Sequence, residues 1–390
     1  AIIAGLLMQS HVDFAESYIK PFGTIFLNLV KFIVVPIVLF SIMCGIISMS
    51  DIKKVGSIGL KTVIYYFCTT AFAITFGLLF GNLFKNAFPV VATTDLSYEV
   101  TEAPSLMDTI VNIFPSNFIA PMSESNMLQV IVMALIFGFS IILIGSEKNS
   151  RLVTAINDLN EVFMKSMELI LKLSPIGVFC LLCPVIAANG SNIIASLAMV
   201  LLTAYLCYVI HVAVVYSLAV KAIGGLSPLK FFKGMLPAMM FAFSSSSSVG
   251  TLPINLECTE KLGAKREIAS FVLPLGATIN MDGTAIYQGV CAIFIASCYG
   301  IQLTLPQMLT IVLTATLASI GTAGVPGAGM VMLAMVLTSV GLPVDGIALV
   351  AGVDRIFDMG RTTVNITGDA ACTMVVSNLE AKKEARRAAK

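Results

Sequence analysis

Charge is scarce in this chain. Of its 390 residues only 12% are Asp, Glu, Lys or Arg, and two are His. With 23 basic against 22 acidic side chains the net charge is +1, so no global field draws the chain to nucleic acid or to an acidic partner. His11 and His211 are too few and too scattered for a metal site or a Ser-His hydrolase. What remains is 57% hydrophobic with a mean hydropathy of +0.95, the composition of one membrane bundle rather than two or three soluble domains. The nine cysteines lie mostly in apolar segments, and Cys180 and Cys183 lack polar neighbours, so they read as small buried hydrophobes rather than metal or redox ligands.

The apolar runs cover residues 1–8, 21–49, 60–84, 127–144, 162–188, 195–220, 268–299 and 347–376. All but the first approach the roughly 20 residues that cross a bilayer. The first reads as the remnant of a helix whose start is missing. Lys and Arg cluster at Lys53, Lys54 and Lys61, at Lys148 and Arg151, at Lys221, Lys230 and Lys233, at Lys261, Lys265 and Arg266, and over 382–390, all of which belong on the cytoplasmic side by the positive-inside rule. The stretch 85–125 carries Asp95, Glu99, Glu102 and Asp108 against one Lys and belongs outside. Parity then requires the apolar segment 232–253, basic at both ends, to enter the membrane and turn back. Between Arg266 and Arg355 there is no Lys or Arg, and the segment 303–342 must start and finish outside, with its tip GTAGVPGAG at 321–329. Helix-breaking Gly and Pro at that depth require a protein interior or a water-filled cavity. Each half of the second part of the chain is thus a hairpin followed by a polar-lined helix, in opposite orientations. That is the inverted-repeat pattern of secondary transporters, with the site near the midplane.

Three polar groups mark that site. Asp354, Asp358, Arg361, Asn365 and Asp369 are spaced by four, three, four and four positions, so on a helix they share one face. Ionisable groups at membrane depth persist mainly where they pair or line a cavity. Arg361 can hold a carboxylate through two parallel hydrogen bonds and Asp358 can accept an ammonium; alternatively the two merely neutralise each other at i,i+3. The NMDGT sequence, 280–284, interrupts an apolar run longer than a straight crossing needs, and unwinding there frees backbone carbonyls which, with Asp282, make an oxygen cage for a hard cation. The alternative is a kink with a satisfied buried Asp. The serines 244–248, followed by VGTLP, offer hydroxyls and helix N-terminal N–H groups to a carboxylate. A channel could use the same polar path. An intramembrane hydrolase is disfavoured, because no general base accompanies the serines. The glycosylation sequons at Asn189 and Asn365 read as chance matches.

In the segments 244–253, 280–284, 321–329 and 354–369 the chain closely resembles the glutamate transporter family, the dicarboxylate/amino acid:cation symporters, and the resemblance extends over nearly the whole sequence. It implies an all-α polytopic membrane protein with eight transmembrane helices and two re-entrant hairpins, assembled as a homotrimer in the cell membrane with a cytoplasmic C-terminus. A scaffold would take residues 1–50 and 87–195. A transport domain sliding like an elevator would take 55–86 and 196–390, including the first hairpin 227–262, the seventh helix 268–299, the second hairpin 302–344 and the eighth helix 346–378. The substrate would be glutamate or aspartate, with a neutral amino acid or a dicarboxylate as the alternative within the family, held by Ser247, Ser248, Thr284, Val325, Gly329, Asp358, Arg361, Thr362 and Asn365. Sodium, with protons as the alternative, would be co-transported. One cation site would use Asp369, Asn280, Gly276 and Asn365, a second Thr278 and Met281 with hairpin carbonyls, and a third Tyr66, Thr69, Thr70 and Asp282 with Asn280. Gln288 stands where animal members coupled to protons and potassium have Glu, which favours sodium without potassium. Ser246 and Met359 replace the family's usual extra Arg, for which Arg355, about a turn away, is the candidate substitute.

Overall fold

The computed structural model describes residues 2–48, 57–88, 111, 114–124, 126–145, 150–189, 192–319 and 328–388. Among these residues every regular element is a helix. Among them three segments, Ser57–Ala87, Ala195–Ala222 and Arg266–Cys298, are long and apolar enough to cross a membrane, the last with a two-residue interruption.

After a short helix Ile2–Leu7 and a turn, α1 (Lys20–Ser48) runs for 29 residues, about 44 Å at 1.5 Å per residue. It packs against α3 (Met127–Ile144), α4 (Ser150–Lys172) and α5 (Ser174–Asn189). The apolar run at 162–188 is therefore not one helix. Pro175 has no N–H to continue the ladder of α4, so the chain breaks at Leu173 and Ser174 and Pro175 open a new helix, where a missing N–H costs nothing. The polar face of α4, with Asp158, Glu161 and Lys165, belongs to a separate amphipathic helix.

The second group of helices surrounds the interrupted helix α9 (Arg266–Ile279) and α10 (Asp282–Cys298). Its apolar window is 94% buried, so this helix sits inside protein rather than against lipid. Around it pack α2 (Ser57–Phe84), α6 (Asn192–Ile210, continued through a π-turn His211–Tyr216 to Ala222) and the long α14 (Asp354–Ala388). The α2–α10 crossing is close because both helices present Gly there: a Cβ on Gly77 would lie 2.6 Å from the Ile286 carbonyl and one on Gly289 2.8 Å from the Leu78 nitrogen. Two helix pairs complete the group: α7 (Pro228–Ser245) against α8 (Ser248–Lys261), and α11 (Leu305–Ala318) against α12 (Ala328–Ser339). Most contacts fall within one group or the other. The bridges between them run mainly through α11, α12 and the one-turn α13 (Ile347–Ala351), which touch α1, α3 or α5, with a smaller contact between α5 and α6.

The expected interruptions are observed with different extents. Only Asn280 and Met281 leave the α9–α10 helix, and Asp282, Gly283 and Thr284 already belong to α10. The polar stripe lies on an unbroken helix, because the chain bends earlier, at Gly352 and Val353, before Asp354 starts α14. The tip of the α11–α12 pair, including Val325, lies outside the described residues.

Candidate substrate and cation sites

The stripe along α14 is buried throughout, with Asp354, Asp358, Arg361, Asn365 and Asp369 each 6% exposed or less. Arg361 is the cation of its upper part. Its Nε donates to Asp358 Oδ1 at 2.9 Å, and its two terminal nitrogens donate to Asp354 Oδ1 at 3.0 Å and Oδ2 at 3.3 Å. The guanidinium lies 4.8 Å above the Tyr287 ring. The Asp358–Arg361 neutralisation foreseen from the spacing is thus present, and Asp354, two turns from Arg361, adds a second carboxylate. Gly329, near the start of α12, abuts the same group: a Cβ there would sit 2.1 Å from an Arg361 terminal nitrogen. Thr362 Oγ1 reaches Asp358 Oδ1 at 3.5 Å.

One turn on, Asn365 ties α14 to the break in the central helix. Its Oδ1 accepts from the Gly283 N–H at 2.8 Å, and its Nδ2 approaches Met281 Sδ and Thr284 Oγ1, each at 3.4 Å. Its backbone carbonyl accepts from Asn280 Nδ2 at 2.8 Å, and the same amide donates to Asp369 Oδ1 at 2.9 Å. The Asn280 Oδ1 is buried without a hydrogen-bond partner among the described residues, which leaves an acceptor for an electropositive atom. Gly276 completes this group: a Cβ there would lie 2.4 Å from both Asp369 Oδ1 and the Tyr66 hydroxyl.

A third carboxylate, Asp282, is fully buried at the start of α10. Its Oδ1 accepts from Thr70 Oγ1 at 2.7 Å and Thr69 Oγ1 at 3.2 Å, and its Oδ2 accepts from the Tyr216 hydroxyl at 2.8 Å with His211 Nε2 at 3.2 Å. Tyr66, expected in this group, instead donates to the Val272 carbonyl at 3.3 Å and stands beside Gly276 and Asp369. Thr278 Oγ1 donates within its own helix to the Leu275 carbonyl at 2.9 Å.

At the end of α7, Ser246 takes the left-handed conformation, φ 55°, and Ser247 caps α8 by accepting from the Gly250 N–H at 3.0 Å. Ser248 is buried behind it. Arg355 donates to the Ser245 carbonyl at 3.4 Å, so this Arg at the start of α14 does reach the tip.

The sequence profile described as the sodium:dicarboxylate symporter family matches residues 1–379. The chain belongs to this family. Over 407 aligned residues, covering the whole chain and 93% of the relative, it is 34% identical to the proton/glutamate-aspartate symporter of Escherichia coli. It is 36% identical to the proton/sodium-glutamate symport protein of Bacillus subtilis, over 93% of this chain and 86% of that one. Human excitatory amino acid transporter 3 is 33% identical, over 98% of this chain and 84% of its own length. Membership makes the chain a membrane transporter and not an enzyme. Within this symporter the residues that sequence reading missed are Asp354 as a partner of Arg361, and His211 and Tyr216 as partners of Asp282. The first was visible as one more member of the stripe. The other two enter through a π-turn that α-helical spacing does not reveal.

Proposed function

We propose that this symporter accumulates acidic amino acids, L-glutamate or L-aspartate, against their gradient by coupling them to sodium. The observation that carries the reading is the buried Arg361 held between Asp354 and Asp358 beside Gly329. A guanidinium so placed exchanges an intramolecular carboxylate for the substrate's side-chain carboxylate, while Asp358, released on one side, receives the ammonium. Ser247, Ser248, Thr284, Thr362, Asn365 and the second tip with Val325 and Gly329 supply the remaining contacts. A neutral amino acid leaves Arg361 without its new partner, and a plain dicarboxylate leaves Asp358 without an ammonium. That weighs against a C4-dicarboxylate cargo, although a relative in Rhizobium etli, 33% identical, is named as a C4-dicarboxylate transport protein.

For the cation, Asp369 with Asn280, Gly276 and Asn365 forms one site, Thr278 and Met281 a second, and Asp282 with Thr69, Thr70, Tyr66 and Asn280 a third. Carboxylate, amide and hydroxyl oxygens suit a hard cation. Sodium is preferred to the proton because hydroxyl and amide oxygens accompany each carboxylate; the relatives' names include both ions. The two groups of packed helices support a scaffold of residues 1–50 and 87–195 and an elevator-like transport domain of 55–86 and 196–390. We assign the molecule eight transmembrane helices, two re-entrant hairpins, a cytoplasmic C-terminus and a homotrimeric state in the cell membrane. Calorimetry on purified protein tests the substrate and ion together. Aspartate or glutamate binds in sodium and not in choline, and alanine and succinate do not bind; tight succinate binding, or aspartate binding indifferent to sodium and pH, contradicts the reading.

A further inference from the structure

His211 is fully buried and opens a π-turn, His211–Tyr216, in the middle of α6. In an α-helix two residues five positions apart point about 140° from each other, at 3.6 residues per turn. A π-turn, with its i→i+5 hydrogen bond, widens the turn and brings such a pair towards one face. That is what the structure shows: the His211 ring and the Tyr216 hydroxyl both meet the same oxygen, Asp282 Oδ2. A carboxylate that binds a cation only accepts, so on the reading of Asp282 as a cation ligand His211 Nε2 is the donor of this contact. His211 Nδ1, buried with no hydrogen-bond partner among the described residues, is then a bare lone pair rather than an orphaned donor.

The two oxygens of Asp282 are therefore unlike. Oδ2 is held by two side chains from a backbone irregularity, one of them a ring nitrogen whose proton cannot turn away. Oδ1 faces Thr69 and Thr70, whose hydroxyls are rotors that can turn their protons away and offer lone pairs.

We propose that the π-turn is a clamp in which His211, as a positioning residue, together with Tyr216 restricts Asp282 to one cation-facing oxygen and so sets the size of cation this site accepts. The inference rests on the reading of Asp282 as a cation ligand and deepens it. One carboxylate oxygen with two hydroxyls makes a compact set for a small ion. Freeing Oδ2 lets the carboxylate turn and engage with both oxygens, a larger set that tolerates a larger ion.

The test is the thermal stabilisation of purified protein, without amino acid, titrated separately with NaCl, LiCl and KCl, followed by aspartate affinity at saturating sodium. In the unaltered protein sodium stabilises saturably and potassium does not. In His211→Leu the sodium midpoint rises by about tenfold or more, the size expected for a lost charge-assisted hydrogen bond, and the preference for sodium over potassium narrows. His211→Gln, which keeps an N–H donor, restores both. Aspartate affinity at saturating sodium stays near that of the unaltered protein. Should His211→Leu not fold, Tyr216→Phe removes the other donor at nearly constant volume and carries the same expectation. Folded variants with unaltered midpoint and ion preference overturn the clamp alone. So does a midpoint shift that Gln does not restore and that leaves ion preference unchanged. An unaltered protein that binds aspartate but responds to no cation overturns the cation reading and the clamp together.

Discussion

At the scale of single residues, the site is a set of contacts that tolerate no added atom. Gly329 against the Arg361 guanidinium is the tightest, followed by Gly276 against Asp369 and Tyr66 and Gly283 against the Arg361 backbone. Gly329→Ala pushes the guanidinium from its place and is expected to weaken acidic amino acid binding at least about tenfold, the cost of roughly one good polar contact, with sodium-induced stabilisation retained. Gly276→Ala is expected to do the reverse, raising the sodium midpoint while acidic amino acid affinity at saturating sodium is spared; equilibrium binding with each ligand varied in turn separates the two. Arg361→Ala abolishes aspartate binding and also lowers stability by about 3–5 kcal/mol, because Asp354 and Asp358 are left buried without their cation. Adding Asp354→Asn to Arg361→Ala recovers part of the stability and none of the binding, as thermal unfolding and calorimetry would show. The spacing of Asp358, Arg361, Asn365 and Asp369 made this stripe legible in the sequence, since helical periodicity alone puts them on one face. Asn280 donating to both Asp369 and the Asn365 carbonyl was legible only as a shared neighbourhood. His211 was not legible, because its partner Asp282 is 71 positions away and its orientation depends on the π-turn.

At the scale of elements, breaks place the chemistry. Ser246 in the left-handed region, Asn280 and Met281 in extended and irregular conformations, and the bend at Gly352 and Val353 each end a helix where polar groups must face inward. Length and flanking charge predicted the first two breaks; the third was hidden because Ile347–Ala351 is apolar and its hydropathy runs on without a dip into Gly352 and Val353. The α4–α5 break at Leu173 was hidden for a similar reason, with Pro175 the only signal. The far end of α14 is fastened by charge: Glu380 meets Lys61 at 2.6 Å and Ser57 at 2.8 Å, Glu384 pairs with Lys265, and the Lys265 N–H donates to Ser377 Oγ at 3.2 Å. The ammonium of Lys61 holds the Glu380 carboxyl below its ordinary 4.5. A carboxyl depressed in the folded state stabilises fully above its unfolded value and loses that contribution as pH falls through the folded value. Thermal stability is therefore expected to decline below about pH 4.5, and Lys61→Ala to lower it at neutral pH while flattening that acid limb; an unchanged limb in the variant would rule out this clasp.

At the scale of the whole molecule, the two groups of helices meet through few contacts, while every polar residue of the site belongs to the group built around α10 and α14. On the elevator reading proposed above, such a partition would let the site move as a body while the other group stays in place. Composition already placed the chain in a membrane; which helices pack together was not legible, because apolar segments of similar length carry no label for their neighbours. Moving the site with more cations than substrate charges gains about 2.3 kcal/mol per net charge for each 100 mV of membrane potential. The most direct measurement is uptake of radiolabelled aspartate into liposomes holding the purified protein, with a sodium gradient, a proton gradient, or neither imposed. Sodium-coupled symport through Arg361 predicts concentrative, saturable uptake driven by the inward sodium gradient, accelerated by an interior-negative potential and lost in Arg361→Ala. Uptake that merely equilibrates aspartate whatever gradient is imposed, or that survives in Arg361→Ala, would contradict it.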